Sequence, residues 1–100
     1  MSGVNQPFGT FYETVAASQT AQVLGVTGAA GDTLMRLVVT VGVSLTGTVA
    51  LLDGATSYPL LPASLPVGVY SIEINAVSVN GAWKITTGAG ATVLAVGNFT

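Results

Sequence analysis

The chain has no histidine and no cysteine, and its 100 residues include only two basic and four acidic side chains. Without histidine or cysteine there is no zinc finger, no iron–sulfur cluster, and no Ser-His-Asp or Cys-His triad. A disulfide-stapled scaffold is excluded as well, and with it any inference of redox compartment from thiols. Arg36 and Lys84 are the whole basic complement, at a formal net charge of −2. Binding nucleic acid by phosphate neutralisation needs several clustered Lys or Arg, so that class is excluded. Charged residues make up 6% of the chain, against about 25% in an ordinary soluble domain. Half of the residues are apolar and the mean hydropathy is +0.72, the opposite of a disordered composition.

Long helical hydrophobic spans are also missing. The longest charge-free, proline-free run rich in large apolar residues is Leu37 to Leu52, sixteen residues. As a helix it would reach about 24 Å, short of the roughly 30 Å hydrocarbon core of a bilayer. It is heavily β-branched and holds Gly42, Gly47 and three threonines, so no membrane span is expected. The opening Met-Ser-Gly-Val-Asn-Gln-Pro lacks the basic and apolar regions of a signal peptide, and none is expected.

What is present repeats every two residues. From Leu34 to Thr46, one alternate set is Met35, Leu37, Val39, Val41, Val43 and Leu45. The other set turns polar as it proceeds, as in a strand with one buried face. In Val69 to Ala76, Tyr70, Ile72, Ile74 and Ala76 alternate with Ser71, Glu73 and Asn75. Asn80-Gly81 is a strong turn dipeptide and leads into Ala82 to Thr87, where Trp83 and Ile85 alternate with Lys84 and Thr86. These two strands are expected to form a hairpin.

Shorter strands are expected over Phe11 to Ala16, Gln19 to Leu24, Gly47 to Leu52 and Ala91 to Val96, with Asp53-Gly54 and Gly88-Ala89-Gly90 as turns. Tyr58 to Pro66 holds three prolines and is restricted to a loop or an edge. About seven or eight short strands with frequent turns predict an all-β chain, a single small antiparallel β-sandwich or jelly-roll-like barrel. Residues 1–10 lack periodicity and are expected as an extended N-terminal arm on a sandwich domain of residues 11–100.

Each candidate for chemistry has a structural reading. Of the carboxylates Glu13, Asp32, Asp53 and Glu73, Asp32 and Asp53 sit beside turn glycines, where aspartate is a common surface turn or cap. A glycosidase needs two carboxylates facing across a cleft, about 5–10 Å apart, and nothing here marks such a pair. Arg36 can pair with Glu13 or Glu73 across strands. Gly25 to Asp32 has the glycines of a phosphate loop but no lysine near it. Gly88 to Ala91 lacks the third glycine and the helix of a dinucleotide fingerprint. Among the aromatics, Trp83 and Tyr58 could serve as a sugar platform. The other reading of Trp83 is a core plug opposite Tyr70 or Ile72. No enzyme activity, cofactor, metal or small-molecule substrate is expected.

Several segments carry a resemblance. Tyr12 to Gly25 (YETVAASQTAQVLG), Thr27 to Leu34 (TGAAGDTL), Asn80 to Gly90 (NGAWKITTGAG) and the closing AVGNFT resemble small virion proteins of tailed bacteriophages. The resemblance covers roughly residues 12 to 100 and is weakest over Ser44 to Val67. It implies a structural particle component and carries over no catalytic residue. A capsid decoration or cement protein on the outer capsid surface is the expectation, with the major capsid protein and copies of itself, as a homotrimer, for partners. The alternative is a head-fibre or tail-fibre module that binds host glycans. Phe8, as the anchor of the arm, with Phe11, Tyr12 and Tyr58, are the candidate subunit or capsid contacts.

Overall fold

The computed structural model describes residues 10–26, 28–42 and 47–100. Its strands are β1 (Thr10–Val15), β2 (Gln22–Val23), β3 (Thr33–Val41), β4 (Val49–Asp53), β5 (Thr56–Leu61), β6 (Gly68–Val77), β7 (Trp83–Thr86) and β8 (Ala91–Phe99). They form two four-stranded sheets, in the orders β1-β8-β3-β6 and β2-β7-β4-β5, and every pairing is antiparallel. The fold is an all-β sandwich. Its pairs are nested, β1 with β8, β2 with β7, β3 with β6 and β4 with β5, which is the winding of a jelly roll.

Strand alternation builds the core between the sheets. The first sheet contributes Val15, Leu34, Leu37, Val39, Val41, Val93 and Phe99, and the second contributes Val49, Leu51, Trp83 and Ile85. Each fully buried Val, Leu or Ile stabilises the sandwich by about 1.5–3 kcal/mol relative to exposure. Alanines at 91 and 95 let β8 pass through the middle of the first sheet with its inward face fully buried.

Nested pairing overturns the expected hairpin. β6 lies in the first sheet beside β3, and β7 lies in the second beside β4 and β2. Asn80-Gly81 therefore sits on a crossing between sheets. Two apolar inner faces, Ile72 and Ile74 on β6 and Trp83 and Ile85 on β7, can bury one another only from opposite layers. Consequently Trp83 is a core residue, 5% exposed, but its strand neighbour is Asp53, not Tyr70 or Ile72. Among the described residues, the one hairpin within a sheet joins β4 to β5 around Gly54, whose φ of +63° suits a tight turn. Pro59 lies in β5, an edge strand, as its proline requires.

Alternation also breaks once in β3. Leu34 and Leu37 are both fully buried, whereas Met35 is 50% exposed. The register slips between Leu34 and Arg36 against both neighbours, so a bulge turns Met35 outward and puts Leu34 in its expected place. Val43 and Leu45, like Phe8 and the rest of residues 1–9, lie outside the described residues. Thr10, expected at the end of the arm, already opens β1 opposite Phe99.

In the segment Gln19 to Leu24, only Gln22 and Val23 form regular strand. Threonine side chains replace part of the ladder: Thr87 Oγ1 accepts from the Gln19 N–H and Thr86 Oγ1 from the Ala21 N–H, both at 2.9 Å. Ala21 has a φ of +48°, which is incompatible with a continuous strand.

Candidate interaction surface

The outer face of the first sheet is built from the positions that alternate with the core. One row across its strands is Tyr12, Val96, Arg36 and Glu73, and the next is Thr14, Leu94, Val38 and Ser71. With strands about 4.8 Å apart, each row spans roughly 15 Å. Val96, Leu94 and Val38 are half-buried in the middle, and Tyr12 at the β1 edge is 66% exposed. On the same face Thr40 stands opposite Val69 on β6. Three of the four central positions are thus apolar and the fourth is Arg36, with the hydroxyls of Thr14, Ser71 and Thr40 around them beside exposed Tyr12 and Val69.

The charge on this face is paired. Arg36 Nη1 lies 3.8 Å from Glu73 Oε1, with both side chains more than half exposed, so the pair contributes about 0–1 kcal/mol. Of the two pairings expected for Arg36, the structure forms the one with Glu73. Glu13 is engaged elsewhere: its Oε1 accepts from the Gly25 N–H at 2.7 Å and its Oε2 from Gln22 Nε2 at 3.5 Å.

The two aspartates are buried, not surface turn residues, at 5% and 7% exposure. Asp32 accepts from the Thr100 N–H at 3.0 Å and from the Thr100 hydroxyl at 2.8 Å. Asp53 accepts from the N–H groups of Val79 and Asn80. Charge-assisted bonds of this kind are what make a buried carboxylate tolerable. All four carboxylates therefore have structural partners, and among the described residues no three acidic or other metal-ligating side chains gather.

Three glycines of the loop before β3 spend their N–H groups internally. Gly25 donates to Glu13, Gly28 to the Thr100 carbonyl at 3.2 Å, and Gly31 to Ser78 through its carbonyl and hydroxyl oxygens. An anion cradle needs such donors free and convergent.

Of the candidate contact residues, Phe11, Tyr12 and Tyr58 are 55%, 66% and 49% exposed. The structure does not gather them. Phe11 and Tyr12 lie in β1 of the first sheet, where the register against β8 shifts between Thr10 and Tyr12, and Tyr58 lies on the edge strand of the second. The sequence reading missed Leu94, Val96 and Val38. Their signal was that both alternate sets of Ala91 to Val96 are largely apolar, more than a one-sided strand requires. No known protein family, curated protein or solved structure matches the chain.

Proposed function

We propose that this chain is a structural virion protein of a tailed bacteriophage, a capsid decoration or cement protein that stabilises the head by binding the major capsid protein lattice. Together with copies of itself, it would lie on the outer capsid surface. The observation that carries this reading is the outer face of the first sheet, where Val38, Leu94 and Val96 are half-buried at the centre and the one central charge, Arg36, is paired with Glu73. It is joined by the resemblance over residues 12 to 100. Jelly rolls serve both capsid and lectin domains, so the fold is compatible with this reading by analogy and does not select it. Of the two aromatics that could form a sugar platform, Trp83 is in the core, which weighs against the glycan-binding alternative.

Burying such a face stabilises by about 25 cal/mol per Å² before association costs. With so little charge, steering and salt dependence should be small. The test has two parts. Purified particles should contain the protein at a fixed ratio to the major capsid subunit, and its absence from particles would overturn the proposal. Calorimetric titration onto undecorated capsids at low and physiological salt should give nearly equal affinities. A tenfold loss on adding salt, about 1.4 kcal/mol, would overturn the apolar mechanism.

A further inference from the structure

Among the described residues the sandwich has four edge strands, and three of them are poor templates for another strand. β2 has two residues, β5 contains Pro59, and β1 has six residues. β6 is ten residues long, contains no proline or lysine, and among the described residues pairs only with β3. Long open edges of this kind recruit strands, and proteins ordinarily blunt them.

The sequence along that edge is close to a palindrome. From Val67 to Val79 it reads VGVYSIEINAVSV, symmetric in residue type about Glu73 except where Tyr70 faces Ala76 and Gly68 faces Ser78. Ile72 mirrors Ile74, Ser71 mirrors Asn75, Val69 mirrors Val77 and Val67 mirrors Val79. Those four valines are 67%, 54%, 63% and 77% exposed for positions 69, 77, 67 and 79. Val69 and Val77 belong to β6 and Val67 and Val79 flank it, so exposed valine marks both ends of this edge, and a set of exposed apolar groups can mark an interaction site.

We infer that β6 pairs with β6 of a second copy, antiparallel and about a two-fold axis at Glu73, which joins the two first sheets into one continuous sheet. Two physical requirements select this register. Inward and outward positions alternate along all of β6, so opposed residues must keep the same parity or each core face would turn outward. Among the same-parity registers, only the one centred on Glu73 puts valine against valine at both ends of the strand. An isologous interface of this kind is self-complementary by construction.

Two features of the strand have to fit. Asn75, at a φ of +52°, is the extra residue where β6 bulges against β3 between the Leu34–Ala76 and Arg36–Glu73 pairs. In the paired copies it meets Ser71, a small polar residue, and the alternation resumes unchanged beyond it. Glu73 meets Glu73 of the second copy, a like-charge contact that opposes pairing. Each carboxylate has Arg36 on its own β3 at 3.8 Å, which gives an Arg–Glu–Glu–Arg row across the joined sheet.

This inference deepens the part of the proposed function in which the chain associates with copies of itself, and it replaces the expected three-fold grouping with a two-fold one. The chain has no cysteine, so single cysteines report the register cleanly with a short thiol cross-linker. Glu73→Cys should cross-link to itself. Val69→Cys alone should not, because its two copies lie eight positions apart along the strand, about 27 Å. Mixed with Val77→Cys, it should. Light scattering of the unmodified chain should show a concentration-dependent dimer, tighter for Glu73→Gln. V69K/V77K, which sets lysine against lysine, should be monomeric with unchanged Trp83 emission. A chain that stays monomeric into the high micromolar range overturns the inference. So does self-cross-linking of Ser71→Cys in place of Glu73→Cys, which would mark a different register. Neither result bears on whether the protein is found in particles, so the two proposals fail separately.

Discussion

The carboxylate of Asp53 accepts the backbone N–H of Asn80 at 3.0 Å, and this bond holds the corner where the chain leaves one sheet for the other. The same carboxylate takes the Val79 N–H at 3.1 Å, while the Ser78 N–H goes to the Asp32 carbonyl at 2.9 Å. Three successive N–H groups thus find acceptors outside any strand ladder. Gly54 and Gly81 make the crossing tight, since a Cβ on Gly81 would come within 2.9 Å of the Gly54 Cα.

Removing that acceptor should loosen the corner. Asp53→Ala strands N–H groups beside a buried site and should cost about 1–3 kcal/mol. Asp53→Asn keeps one carbonyl oxygen and should cost less. Urea denaturation followed by Trp83 emission measures both, and equal losses would mean that the carboxylate acts through something other than these bonds.

The bulge in β3 predicts an inversion of neighbours. Leu34→Ala should destabilise by about 2–5 kcal/mol, as deletion of buried leucine does. Met35→Lys should stay within about 0.5 kcal/mol, as exposed substitutions do. Unbroken alternation would reverse the two results, so one pair of melting curves decides between the registers.

Gly97 should tolerate no side chain. It is buried in β8, and a Cβ there would collide with the Thr33 carbonyl oxygen and approach Leu34 Cα to 3.0 Å. Both neighbours belong to the backbone of a paired strand and cannot step aside. Gly97→Ala should therefore cost about 1–3 kcal/mol, as overpacking does, whereas Gly42→Ala, which meets nothing within 4 Å, should be close to neutral.

Trp83, the sole tryptophan, donates its indole N–H to the Asp32 carbonyl at 2.9 Å inside the core. Its emission should be blue-shifted and poorly quenched by acrylamide in the folded state, and should not change when sugars are added. Trp83→Phe should lose about 1–3 kcal/mol, since the ring volume is partly kept and the Asp32 carbonyl still accepts from Ser78. Strong quenching of the native protein would place the indole at the surface.

Much of the fold is legible in the sequence. Period-two patterning located strands at β1, β3, β4, β6, β7 and β8, while the prolines left the segment of β5 open as a loop or an edge. These are local properties: side-chain alternation and backbone restriction act within a few residues. Which strand lies beside which is a different matter. In the nested order only β4 and β5 are neighbours both in sequence and in one sheet, so turn chemistry such as Asn80-Gly81 cannot reveal the other partners. The partner of β1 is β8, at the far end of the chain. That choice, the outward turn of Met35 and the burial of Asp32 and Asp53 follow from filling one core from two layers. The outer-face rows through Tyr12, Leu94 and Glu73 exist only once the register is set. Sequence alone carried most of the strands and, away from the bulge at Met35, their faces, because those energies are local; the pairing and the surface it creates came from packing, because those contacts join residues far apart in the chain.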